Sequence, residues 1–283
     1  GIFFSFKRGS NFSDGDSFDL IISFLDFIDF SIYNPSRGAY GHLIPEFIIG
    51  FFAYNFGTPV SNSICFIFYC LSILVLSKVF NIDSSRKKLI FYLLIFSNFL
   101  LLVENTNSID YPIAFFFFSL GLFQLKKNKI FYSSLFFSIA IISRANFVIF
   151  IYPIMLIYLL DKKINKENLI SFFKISILTT IFTIFLFIPT LITYDFELTF
   201  IKIPFLFNSS EPGWYGGPEF TFDKLSPRFI FKVYNILGVF STFIFFYLFI
   251  FKFKISKYLK KFEDKICIYI IFSNLIMFYF MPT

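Results

Sequence analysis

The sequence predicts an all-α protein: a polytopic transmembrane helical bundle with interfacial amphipathic helices in its first external loop. Three observations carry this reading. Hydrophobic residues make up 57% of the chain and charged residues 15%, with a mean hydropathy of +0.75, far from the soluble average. Apolar runs of spanning or near-spanning length recur along the chain. Basic residues gather in one alternate set of connections and acidic residues in the other, which orients the stack by the positive-inside rule.

In chain order, residues 1–6 read as the outer end of a first helix and 7–59 as a long first external loop. Within that loop Phe18, Ile21, Ile22, Leu25 and Ile28 recur at helical spacing, with Asp19, Asp26 and Asp29 elsewhere, so Phe18 to Phe30 is expected to lie on the interface as an amphipathic helix. A second interfacial element is expected from His42 to Phe56. Spans follow at about 60–80, 89–104, 110–125, 130–143, 146–160 and 169–192, then an external loop over 193–228 and C-terminal spans at about 229–251 and 266–281. Several are shorter than the roughly 20 residues a perpendicular span needs, so they are expected to tilt or to end in a protein-lined cavity. The whole, 1–283, reads as a single membrane-embedded domain, and its lack of an initiator Met and close stop after a span read as truncation at both ends.

Charge assigns the sides. The connections holding Arg86, Lys87 and Lys88; Lys126, Lys127 and Lys129; Lys162, Lys163 and Lys166; and Lys252 to Lys265 are expected on the cytoplasmic side. Most carboxylates fall opposite. The net charge of +7 therefore reads as positive-inside bias and attraction to anionic lipid, with no nucleic-acid role. The 52 Phe, with frequent Ile, Asn and Lys, are what codon usage in an AT-rich genome produces, so aromatic abundance says little about stacking sites. Cys65, Cys70 and Cys267 fall in predicted spans without CxxC spacing, and His42 is the only histidine; a disulfide framework, a zinc site and a His-based triad are not supported.

Specificity resides in the external segments. Ser13-Asp14-Gly15-Asp16-Ser17 sets two carboxylates at the interface, either an acidic turn with Asp16 capping the next helix or a reactive pair. Arg37, in Tyr33-Asn34-Pro35-Ser36-Arg37-Gly38-Ala39-Tyr40, runs against the positive-inside trend and either pairs with a local carboxylate or reads a phosphate. Glu104 and Asp110 bracket a very short external connection, and Ser143-Arg144-Ala145-Asn146 forms another, bringing three ionisable groups to the outer boundary. A shared polar cavity or a purely structural Asp110–Arg144 ion pair would account for them. In the loop 193–228, Trp214 and Tyr215 among Gly and Pro either cover a sugar or anchor the interface.

Taken in order, these motifs resemble the GT-C superfamily of integral-membrane glycosyltransferases, including protein O-mannosyltransferase-like and lipid A aminoarabinose transferase-like enzymes. The resemblance rests on Asp14-Gly15-Asp16 in the first external loop, the Pro-Ser-Arg-Gly-Ala-Tyr-Gly stretch after it, Asp110-Tyr111-Pro112 at the start of a span, and Ile142-Ser143-Arg144 between two short spans. It covers nearly the whole chain, with Gly15 where the family has Glu. The resemblance implies inverting transfer of a sugar from a polyprenyl-phosphate-linked donor to a lipid, glycan or protein acceptor hydroxyl on the extracytoplasmic face of a bacterial inner membrane. It implies Asp14 as general base with Asp16 as helper or alternative base, Arg144 and Arg37 as phosphate ligands, and Asp110 and Glu104 orienting the acceptor or holding Arg144. No cofactor is expected and no metal is assigned. A flippase or transporter for lipid-linked sugars, a polymerase or ligase, and a noncatalytic membrane scaffold are the alternatives; the outer-boundary clustering of charge and the absence of internal repeats weigh against a transporter.

Overall fold

Long apolar runs leave the backbone nothing to bond but itself, and within the described residues they do so as helices. The computed structural model describes residues 15–31, 33, 43–96, 105–161 and 166–193, together with 265, 266 and 269. Among these it is all-helical: α1 (Gly15–Phe30), α2 (Leu43–Phe56), α3 (Thr58–Val79), α4 (Ser85–Phe96), α5 (Tyr111–Lys126), α6 (Ile130–Ser143), a 3-10 turn (Ala145–Phe147), α7 (Val148–Asp161) and α8 (Lys166–Thr193). Two of them, α3 with 22 residues and α8 with 28, are long and apolar enough to cross a membrane, and α2, α5, α6 and α7 are shorter apolar helices. The expected spans at 229–251 and the greater part of 266–281, and all but the first residue of the loop 193–228, lie outside the described residues.

Asparagine marks two of the reversals. Asn81 after α3 and Asn128 after α5 take left-handed backbone angles, φ 52° and 57°. Each closes a Schellman motif: Ile82 N donates to Ser77 O at 2.9 Å after α3, and Lys129 N donates to Gln124 O at 2.9 Å after α5. Asn accepts this conformation at little cost because its short polar side chain bonds locally. Both turns lie among lysines, and Lys126 Nζ donates to Val79 O, so the ends of α3 and α5 and the start of α6 form one basic end of the bundle. Tyr158 Oη donates to Asn128 Oδ1, bringing the end of α7 to the same place.

Packing runs outward from α5 and α6, an antiparallel hairpin flanked by α3 on one side and α8 on the other. Its crossing is tight at Gly121, where an added Cβ would come within 2.4 Å of the Phe137 ring. Serine hydroxyls tie α6 to both neighbours: Ser133 Oγ donates to Gly121 O at 2.9 Å, Ser134 Oγ to Ile175 O at 3.2 Å and Ser138 Oγ to Thr179 O at 2.8 Å. Small hydroxylated residues let helices approach where apolar surroundings offer no hydrophobic gain. Phe118, Leu122, Phe137, Ile151, Ile154 and Ile175 fill the main core. On α8, by contrast, Ile170, Phe173, Ile177, Ile181 and Ile184 form a stripe more than half exposed.

The helix α1 differs from its expected face. Leu20, Ile21 and Phe24 are the buried apolar positions, while Phe18 and Ile28 are exposed. The reason is Gly50 on α2, whose missing side chain admits Phe24 so closely that a Cβ there would stand 2.1 Å from Phe24 Cβ. Leu20 and Ile21 join Ile49, Cys65 and Ile113 in a second, smaller core that seats α1 and α2 against the starts of α3 and α5. The basic trio also moves: Arg86, Lys87 and Lys88, expected in a connection, occupy the first turn of α4.

Candidate functional site

The end of the bundle opposite the lysines is built by the same hairpin. Because α5 and α6 run antiparallel, the start of one meets the end of the other, which brings Asp110 and Arg144 together from 34 residues apart. Asp110 is the N-terminal boundary residue of α5, with φ −72° and ψ −27°, and Arg144 is the C-terminal boundary residue of α6 in an extended conformation. Each charge thus opposes the partial charge of the helix end it occupies.

Arg144 Nη1 donates to Asp110 Oδ2 at 3.0 Å, with the Asp110 side chain 0% and the Arg144 side chain 17% exposed. Arg144 Nη2 donates to Tyr111 Oη at 2.5 Å, and Cζ lies 4.2 Å from the centroid of that ring. A planar cation held at one edge by a carboxylate and against an aromatic ring has little rotational freedom left, so its orientation is set. Ser143, just before it, is fully buried.

The connection before α5 is an interior element, although its composition reads as a surface loop. Thr106, Asn107, Ser108, Ile109 and Asp110 are all buried. Ser108 Oγ donates to Asn62 Oδ1 at 2.6 Å and lies 2.5 Å from Ser61 Oγ, while Cys65 Sγ donates to Ile109 O at 3.6 Å. Side chains from the first two turns of α3 thus partner the Ser108 hydroxyl and the Ile109 carbonyl, which burial of this loop would otherwise strand. Ala114 N donates to Asp110 O at 3.0 Å, and the loop passes directly into α5.

A second buried carboxylate lies on the neighbouring helix. Glu46 in the first turn of α2 is 0% exposed and accepts a 2.5 Å hydrogen bond from Tyr33 Oη. Tyr33 O in turn accepts from Thr193 Oγ1 at 3.0 Å, so the segment between α1 and α2 is tied to the far end of α8. Sequence reading did not single out Glu46 or Tyr33 as site residues. The available signal was a Glu directly after Pro45 in an otherwise apolar helix, a residue that burial would tolerate only with a partner.

Of the site residues expected from sequence, Asp110 and Arg144 are brought into contact. Asp16 is the second residue of α1. Asp14, Arg37, Glu104, Trp214 and Tyr215 lie outside the described residues. Among the described residues no group of three or more His, Cys, Asp or Glu side chains is placed to hold a metal ion. Comparison of the chain with protein-family models, curated proteins and solved structures finds no match.

Proposed function

We propose that the protein is a membrane glycosyltransferase of GT-C type, moving a sugar from a polyprenyl-phosphate-linked donor to an acceptor hydroxyl at the outer face of the membrane. The observation that carries the reading is the Asp110–Arg144–Tyr111 arrangement, in which a buried acid and an aromatic ring hold one guanidinium at the end of the bundle away from the lysines. A cation so held can meet the charge that grows on a departing lipid phosphate without having to reorganise. Further support comes from the exposed apolar stripe of α8 and from charges that lie at helix ends in α3 and α5 to α7, which fit a polytopic bundle with one basic and one acidic face.

In this mechanism the acceptor hydroxyl attacks the anomeric carbon from the face opposite the phosphate. Its oxygen forms the new glycosidic bond as the bond from the anomeric carbon to the phosphate oxygen breaks. The hydroxyl proton passes to a carboxylate, for which Asp14 is the first candidate and Asp16 the second. The bonding electrons leave on the polyprenyl phosphate, whose charge Arg144 and Arg37 would share. Asp110 acts through Arg144, by holding it.

The test is transfer of labelled sugar from polyprenyl-phosphate-sugar donors in membranes carrying the protein, beside Asp14→Asn and Arg144→Lys variants. Loss of at least 100-fold in turnover on Asp14→Asn, in protein that still inserts and folds, is the expected result for a general base. Absence of transfer with every donor, together with movement of lipid-linked sugar between leaflets, would replace this reading with a flippase.

A further inference from the structure

Among the described residues, five exposed cations of the basic end lie in two segments. Arg86, Lys87 and Lys88 in the first turn of α4, and Lys127 and Lys129 in the turn between α5 and α6, are exposed. The bond from Lys126 Nζ to Val79 O draws the end of α3, from which α4 follows, against the α5–α6 turn. Arg86, Lys87, Lys88 and Lys129 take part in no ion pair among the described residues. Lys127 lies over the Phe123 ring, Nζ 4.1 Å from its centroid. Of the acids at this end whose side chains are described, Asp83 and Glu167 are exposed.

Apolar surface begins where the cations stop. Leu89, Ile90 and Leu93 are exposed on α4, and Phe131 and Tyr132 on α6, within the first three turns of each helix. Water solvates the cations and rejects these side chains, whereas a soluble acidic partner would answer the charge and leave the apolar ring uncovered. A phospholipid supplies both in the right order, with phosphate at the level of the ammonium groups and acyl chains one or two turns further along the helices.

We propose that the α4 first turn and the α5–α6 turn together form a binding surface for anionic phospholipid, with headgroups held by Arg86, Lys87, Lys88, Lys127 and Lys129 and acyl chains lying along α4 and α6. The inference rests on the membrane reading and is independent of sugar transfer. Each basic side chain close to an anionic leaflet is worth roughly fivefold in partition, so five of them give a preference well above tenfold even with strong mutual screening.

The experiment is native mass spectrometry of the full chain in neutral detergent with equal amounts of phosphatidylglycerol and phosphatidylcholine. Retention of phosphatidylglycerol over phosphatidylcholine by about tenfold or more is expected, falling to near parity when all five cations are replaced by Gln and persisting when the four lysines are replaced by Arg. All five are exposed, so folding is expected to survive; should the fivefold variant fail to fold, the Arg86→Gln/Lys87→Gln/Lys88→Gln and Lys127→Gln/Lys129→Gln variants are each expected to lose part of the preference. Equal retention of both lipids by the native chain, or an unchanged preference in the Gln variants, overturns the proposal while leaving membrane insertion intact. Binding of a heparin oligosaccharide with no phosphatidylglycerol preference overturns it too, and assigns the surface to a soluble acidic partner.

Discussion

Full burial of the Asp110 carboxylate is tolerable because a guanidinium goes in with it, and the two cannot be separated cheaply. Arg144→Ala takes the guanidinium at 3.0 Å away from a fully buried acid and is expected to cost about 3–5 kcal/mol. The double change Asp110→Asn/Arg144→Gln is expected to recover more than half of that loss, as read by thermal melting in detergent; simple addition of the two single costs would show that the pair is not coupled. Arg144→Lys keeps the charge but gives up the planar fork and the ring contact, so on the proposed function it raises KM for the lipid-linked donor by roughly tenfold or more with the fold retained. At Glu46 the same reasoning gives a smaller effect. Tyr33→Phe removes the 2.5 Å hydrogen bond to a buried carboxylate and is expected to cost about 1–3 kcal/mol. Glu46→Gln is expected to cost less, since an amide oxygen can still accept from Tyr33, and equal melting shifts for the two variants would refute this account.

Helices are set by close approaches and by their ends. Gly121 permits the α5–α6 crossing, and Gly121→Ala would drive a methyl group into Phe137, which is fully buried and has no room to withdraw. The expected cost is about 1–3 kcal/mol, and Gly121→Ala/Phe137→Leu should relieve part of it; a neutral Gly121→Ala in a denaturation series would mean that the crossing is looser than drawn. At the end of α3 the left-handed Asn81 predicts a different ordering. Asn81→Gly should be tolerated, whereas Asn81→Val is expected to lose about 1–2 kcal/mol because a branched Cβ collides with the following carbonyl. These helix ends were legible in the sequence to within a few residues, since lysine-bounded apolar runs define them. The packed face of α1 was not, because Phe24 owes its burial to a glycine 26 residues away.

At the scale of the whole molecule, the two ends of the bundle differ in chemistry, and a bilayer between them would make them inside and outside. A single-cysteine series tests this directly, with Cys65, Cys70 and Cys267 first replaced by Ser. In sealed cells Asp29→Cys, on the exposed end of α1, is expected to react with an impermeant maleimide, while Lys127→Cys reacts only after the membrane is opened. Labelling of both positions from one side would overturn the two-faced bundle. The candidate site depends on this arrangement as well, since Asp110, Arg144 and Tyr33 share the end that the series assigns to the outside.

What the amino-acid order determined by itself was local and additive: which stretches are apolar enough to be helical, where they stop, and which connections carry cations. Hydropathy and charge act residue by residue, so they can be summed along a chain without knowing what touches what. Asp110 and Arg144 were visible for the same reason, as ionisable groups at the edge of apolar runs. Whether they met, and that Tyr111 would hold the guanidinium, followed only from the antiparallel pairing of α5 and α6. Only the tertiary structure could make an interior element of Thr106 to Asp110, because Ser61 and Asn62 on α3 supply the partners that let so polar a segment be buried. Glu46 waited on the fold for the same cause: a carboxylate is kept out of an apolar interior by desolvation, and the Tyr33 hydroxyl that offsets this is brought to it by the return of the chain from α1 to α2.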